Sequence, residues 1–300
     1  MAETPSNPSG NSPRVNGFDG VELPSAAQPN AARIYDYLLG GKDFLSVDQK
    51  AAAELQKVFP HAEITARENR RFMARAVGFL ARRGVTQFLD VGTGIPTSTP
   101  DLSNLHEVVQ GIQPRARVVY VDNDPVVMAH ARALLTGTGQ GSVGYVRADL
   151  RKPQRILDSA PVRALDQTRP VALSLIAILH FLRDDVRPHD AVATLIDALP
   201  AGSYLIVSHV TNDLVSEAGP VSMEAAADLY RNHGIQAQAR DAEEIRGFFD
   251  GLEFIDPPGL VPVHRWPADG ILSRQVTDAE VSCYGAVALK RNRTRTGGRG

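Results

Sequence analysis

The chain has a single cysteine in 300 residues, Cys283. It can form no internal disulfide and no cysteine-based zinc cluster, and it fits a reducing, cytoplasmic setting. Neither sign of charge is in excess, since 32 Lys and Arg against 34 Asp and Glu leave a formal charge of −2. Nucleic-acid binders usually carry a basic face, so nucleic acid is not an expected partner. Long hydrophobic runs are missing too. The longest, residues 171–182, is interrupted by Ser174 and His180. It falls short of the roughly 20 apolar residues that span a bilayer, so no membrane partner is expected. The first residues show no basic stretch followed by an apolar core, which excludes a signal peptide. The eight histidines contain no His-x-x-x-His pair, and no metal site is expected. No Ser-His-Asp or Cys-His set stands out, and no pattern specifies an oligomeric state.

What is present is ordinary for a globular protein, at 43% hydrophobic and 22% charged residues. Residues 1–29 are rich in Pro, Ser, Asn and Gly and read as a disordered tail, as does the basic stretch 291–300. Residues 30–290 read as one domain, a helical cap over 30–83 and an α/β core over 84–290. In the cap, a short helix from Ala31 stops at Gly40-Gly41, and Ser46 and Thr65 each open a capping-box spacing. From residue 85 strands and helices alternate, with strands near 86–91, 117–121, 143–147, 171–176 and 203–208. Helices fall near 101–111, 124–135, 153–159 and 188–199, then near 222–232 and 241–250, the last capped by Asp241. The alternation implies a parallel sheet covered on both faces. Strand-like runs at 252–256 and 282–290 follow, and the short link between them predicts antiparallel pairing.

The first strand runs into Asp90-Val91-Gly92-Thr93-Gly94-Ile95-Pro96-Thr97. Gly92, Thr93 and Gly94 form a turn where bare backbone can approach a ligand. A dinucleotide fold wants a third glycine at the position Thr97 holds, which argues against a nicotinamide oxidoreductase. The second strand ends in Asp122-Asn123, and an acid there can accept from both ribose hydroxyls. Asp124 reads as the cap of the next helix, with Pro125 at its first position. The third strand ends in Asp149-Leu150, an acid placed for an adenine amine and an apolar side chain for the ring face.

A GxG turn with three strand-end acids resembles the class I S-adenosylmethionine-dependent methyltransferases. The stretches 32–43 (ARIYDYLLGGKD), 66–70 (ARENR) and 88–97, with Ser208-His209, are similar to an actinobacterial S-adenosyl methyltransferase family of unknown substrate. The resemblance covers about residues 28–290 and makes Ile95-Pro96-Thr97 a normal replacement for the third glycine. It implies a seven-stranded, mostly parallel Rossmann-like sheet of order 3-2-1-4-5-7-6 with an N-terminal helical addition. It also implies S-adenosyl-L-methionine as cofactor.

Methyl transfer from a sulfonium depends mainly on alignment, so the lack of a catalytic set is compatible with it. The expected cofactor contacts are Asp90, Gly92, Thr93, Gly94, Asp122, Asn123, Asp149, Leu150 and Arg67. Arg67 opens the third helix with Asn69 and Arg70, where an arginine can hold the cofactor carboxylate; the plainer reading is a solvated helix face. On the substrate side His180 is a candidate base and Tyr35 a candidate lining residue, each with plain packing as its alternative. Tyr37, His209 and Asn212 are weaker versions of the same idea. Gly40-Gly41-Lys42-Asp43 lacks full P-loop spacing. The expected activity is methylation of a small molecule. The alternatives are a protein that binds the cofactor without catalysis and, further off, a nicotinamide-dependent oxidoreductase.

Overall fold

The computed structural model describes residues 27–97, 99, 101–135, 137, 139–215, 222–267 and 276–291. Of the expected tails, 1–29 and 291–300, residues 1–26 and 292–300 lie outside the described residues. Three helices lead: α1 (Ala31–Leu39), α2 (Ser46–Val58) and α3 (Ala62–Arg82). Then β1 (Gln87–Val91), α4 (Leu105–Ile112), β2 (Arg117–Asp122), α5 (Pro125–Leu134) and β3 (Ser142–Arg147) alternate. Two short helices, α6 (Pro153–Leu157) and α7 (Ala160–Arg163), precede β4 (Ala172–Ile176), α8 (Pro188–Ala198) and β5 (Tyr204–Val210). The chain ends with α9 (Met223–Asn232), α10 (Ala242–Gly247), β6 (Glu253–Phe254), β7 (Val261–Pro262), α11 (Asp278–Val281) and β8 (Cys283–Leu289).

The sheet runs β3-β2-β1-β4-β5-β8-β6, with the two-residue β7 paired to β8 off that path. This is the expected order with one added short strand: the last long strand slots between β5 and β6 and is antiparallel to both. Lys290, just past β8, donates to the carbonyls of Ile196, Asp197 and Leu199 at 2.6–3.0 Å and so closes the C-terminal end of α8. β1 lies at the centre and is buried along its length. Alternate residues of its apolar run face opposite layers, Phe88 toward α3, α4 and α5, Leu89 toward α8 and α6.

A third apolar cluster joins α1 and α2 to the start of α3 and to α9, through Ile34, Leu38, Leu55, Phe59, Ala66 and Met223. This is the helical cap; unlike the expected 30–83, it takes in α9 and only the start of α3, because Phe72 to Ala81 of α3 pack on the sheet. It is tied internally by a buried ion pair, Arg33 Nε to Asp48 Oδ2 at 2.6 Å. Asp48 is satisfied further by the N–H groups of Asn30 and Leu45, at 2.9 and 2.8 Å.

Three helix starts differ from the sequence expectation. α4 begins at Leu105, not near 101, with Asn104 as its cap. α2 is capped by Leu45, with Ser46 already helical, because Asp48 rather than Ser46 holds the cap N–H. α3 begins at Ala62, three residues before Thr65. The Thr65 hydroxyl instead donates to the Glu280 carbonyl across the fold, at 3.1 Å. Asp241 and Asp124 do cap their helices as expected, α10 and α5.

Removing one partner of a buried ion pair strands the other charge. Asp48→Ala is therefore expected to lower unfolding free energy by about 3–5 kcal/mol in a urea titration. Arg163→Ala, from an exposed pair with Asp158, is expected to change it by less than about 1 kcal/mol.

Candidate functional site

Parallel register carries β1 and β2 to the same end of the sheet, with Val91 opposite Val121 and Asp122 one residue beyond. The two glycines follow at φ of +81° for Gly92 and +66° for Gly94. A Cβ on Gly92 would lie 2.5 Å from the Ile178 side chain, whereas one on Gly94 would meet nothing within 4 Å. Gly92 is thus needed for packing, and Gly94 leaves bare backbone facing open space. The turn is stitched to β2: Gly92 N–H donates to the Val121 carbonyl at 2.8 Å, and Gly94 N–H to Asp122 Oδ2 at 3.0 Å.

A cavity of about 140 Å³ opens here. Its floor is Asp90, Gly92, Thr93, Gly94, Asp122 and Asn123, and its far walls include Asn30, Tyr35, Arg70, Met73 and Ala177. Six of the nine expected cofactor contacts therefore meet in one place. Burial pushes the Asp90 carboxyl up to about 6, and the charge of Asp122 adds to that, against the pull of Ser174 and Arg70. Burial likewise pushes Asp122 up to about 6, although it accepts N–H bonds from Asp124 and Gly94. Two desolvated acids side by side form a site for a ligand rich in donors or positive charge.

Three expected contacts lie elsewhere. Arg67 donates to Asp101 Oδ2 at 2.7 Å and to the Leu39 carbonyl at 3.3 Å, outside the cavity. Nearly one turn along α3, Arg70 lines the cavity, with Nη2 on Asn104 at 2.7 Å and a buried Nε that has no partner. Leu150 is packed in the core with Ile156 and Val162, away from the cavity wall. Asp149 is engaged by the Arg151 guanidinium, at 2.5–3.0 Å, and stands beside the cavity-lining Asn123 without lining the cavity itself.

The helical cap reaches the glycine turn directly. Thr97, where a third glycine would stand, donates from its buried hydroxyl to Asp36 Oδ1 at 2.6 Å. Asp36 also accepts from Asp43 N–H at 2.8 Å, and a Cβ on Gly41 would fall 2.0 Å from its carboxylate. The Gly40-Gly41-Lys42-Asp43 stretch thus serves as the cradle of Asp36. Asn30, the cap of α1, donates to Asp124 Oδ2 at 2.7 Å and makes a second tie.

A second cavity of about 80 Å³ abuts the first and shares Ala31, Tyr35, Ala177 and Phe181 with it. His180 lines it, with its imidazole driven down to about 3 by burial and the nearby Arg240. The Tyr35 phenol is pushed up to about 12 by burial, accepts from Asn69 Nδ2 at 2.8 Å and donates to the Ala66 carbonyl at 3.1 Å. Neither group is tuned to take a proton near neutrality. His209 is buried on β5, donating Nδ1–H to the Val210 carbonyl and accepting from Arg240 at 2.9 Å. Arg240 also donates to the carbonyls of Leu179 and Leu182, at 3.1 and 2.8 Å, and so fixes the turn that carries His180. Asn212 accepts from Met223 N–H at 3.1 Å at the start of α9. Tyr37 packs edge-on against Phe44.

A family model for S-adenosyl methyltransferases matches residues 23–291. The chain belongs to this S-adenosyl methyltransferase family. Its cofactor is S-adenosyl-L-methionine. The chain is 42% identical to a DUF574 family protein of Streptomyces avermitilis, whose crystal structure superposes with a TM-score of 0.81 over 88% of this chain and 98% of that one. It is 36% identical to a candidate methyltransferase of Thermobifida fusca, with a TM-score of 0.77 over 88% of this chain and 96% of the other. No curated protein matches. Among the described residues no helix is long and apolar enough to cross a membrane, and no three His, Cys, Asp or Glu side chains are grouped to hold a metal ion.

The raised acids carry a sign for stability. A carboxyl near 6 in the folded state, against 3.8 in the unfolded chain, holds its proton more tightly when folded. Stability without ligand should then fall as pH rises from 4 to 6 and stay lower above that. Asp90→Asn is expected to gain up to about 3 kcal/mol over the parent protein between pH 4 and pH 7, measured by urea unfolding at each pH. A constant difference across that range would contradict it.

Proposed function

We propose that the protein transfers a methyl group from S-adenosyl-L-methionine to a small molecule. The observation that carries this reading is the adjacency of the two cavities, one acidic at the strand ends and one apolar under the helical cap, meeting at Tyr35, Ala177 and Phe181. The residues of the first fit the cofactor group by group. Asp122 accepts from the ribose hydroxyls, Gly94 lets the nucleoside lie against bare backbone, and Asp90 balances the positive charge of the amino-acid end. Arg70, with an unused N–H, takes the cofactor carboxylate in place of Arg67. Asp149 borders the adenine side through Asn123.

When bound, the cofactor supplies a methyl group on a sulfonium, whose sulfur keeps the bonding electron pair as the acceptor's lone pair forms the new bond to carbon. The chain's own part is alignment and exclusion of water. Positioning of this kind can supply about 7–11 kcal/mol of the barrier. Tyr35 and His180 hold shape in this reading and do not act as bases. A cofactor-binding protein without catalysis would share the crevice, and single-turnover release of S-adenosylhomocysteine separates it from an enzyme.

Calorimetry with S-adenosylhomocysteine tests the assignment. Asp122→Ala is expected to weaken binding at least about 100-fold, since a buried hydrogen-bonded acid is lost. Arg70→Met is expected to cost about tenfold or more, and Arg67→Met to leave affinity unchanged. Affinity should also fall as pH drops below about 6, where Asp122 takes up a proton. Folded protein that binds no cofactor would refute the placement.

A further inference from the structure

The second cavity contains no Lys, Arg, Asp or Glu among the described residues that line it. Its walls are mostly aromatic, aliphatic and small side chains, among them Phe59, Leu55, Met223 and Ala226, with Thr65 and Gln238 as neutral polar members. A charged ligand group placed there would lose its water and gain no counter-charge, which costs several kcal/mol. Phosphorylated, carboxylated and ammonium-bearing molecules are disfavoured for that reason.

The polar features of the wall are more specific. Asn69 is buried, at 2% exposure, and its Oδ1 has no partner. The orientation of its amide is set by the network. The Tyr35 hydroxyl already donates to the Ala66 carbonyl, so it can only accept from Asn69, which must present its NH2 there. Oδ1 is left as a fixed acceptor with an unused lone pair. His180 Nδ1 is a second buried nitrogen without a partner. Buried orphans of this kind are rare in folded proteins and need an explanation. Size adds a limit. A cavity of about 150 Å³ is known to hold benzene, and this one, at about 80 Å³, is about half that, so a ring enters only by extending through the side shared with the first cavity.

Resting on the cofactor assignment above, we infer that this second cavity receives the methyl acceptor, and that the acceptor is an uncharged molecule inserting one apolar ring with a single N–H or O–H donor directed at Asn69 Oδ1. The acceptor meets the first cavity at Ala177, whose φ of +52° holds a non-glycine backbone in a sparsely populated region. Such strain gathers at ligand sites. The side chain there is only a methyl, so it adds little bulk where the two cavities share a wall.

The test uses one-ring probes of matched size, aniline, phenol, toluene, benzoate and benzylammonium, titrated by NMR into the full chain with and without S-adenosylhomocysteine. Aniline and phenol are expected to bind at least tenfold more tightly than the two ions. Ala226→Leu, which fills the cavity, should weaken every neutral probe at least tenfold and leave S-adenosylhomocysteine affinity intact. Asn69→Leu should weaken aniline and phenol about tenfold and spare toluene, a pattern that a misfolded variant cannot give. Equal binding of ionic and neutral probes, or neutral binding indifferent to Ala226→Leu, overturns the acceptor class while the cofactor assignment stands. Protein that takes neutral probes but no S-adenosylhomocysteine overturns the cofactor assignment and, with it, the acceptor role.

Discussion

The hydrogen bond from Thr97 to Asp36 is the constraint on which the rest of the site depends. It is short, at 2.6 Å, and buried, and it joins a turn of the sheet to a helix that the alternating core does not require. A third glycine in that place would let strand and helix pack closely around a pyrophosphate. Here a side chain fills the position and grips the cap instead. The crevice is thereby roofed by α1, and Asn30, Ala31 and Tyr35 become part of its lining. Gly41 has no side chain because Asp36 occupies the space one would need.

Much of this is legible in the sequence. Strands buried on both faces write themselves as continuous apolar runs, and their ends show as acids and glycines, so Asp90, Gly92, Gly94 and Asp122 could be placed from spacing alone. Helix starts were less legible. The Thr65-to-Glu68 spacing matches a capping box, but the partner of Thr65 is the Glu280 carbonyl, 215 positions away in sequence. The choice between Arg67 and Arg70 turned on which face of α3 meets the sheet, and the cluster of basic residues there hides that phase. Arg240 and Ala177 had no signal. The roles of both come from backbone groups and from a strained φ, which only tertiary structure assembles.

The two cavities differ in the kind of chemistry they hold. Desolvated acids define the first and burden the empty fold with charge it would be more stable without. The second is almost all carbon, with a few polar atoms held in fixed directions. Catalytic groups with shifted proton affinities are a common mark of active sites, yet His180 and Tyr35 are shifted away from usefulness as bases. An enzyme of this kind gains rate by enclosing and aligning its reactants.

The placement of β8 has a consequence for biogenesis. This strand bonds to β5, β6 and β7, it brings Cys283 to the wall of the apolar cavity, and Lys290 just beyond it closes α8. It is also among the last described segments to be synthesised. Until it leaves the ribosome, β5 is an open edge with its hydrogen-bonding groups unpaired, a surface prone to wrong pairings. Strands β1 to β5 precede it in the chain, and the wall that Cys283 supplies to the pocket under the helical cap is in place only once β8 has paired. The apolar pocket therefore depends on a strand that supplies no residue to the cavity at the glycine turn.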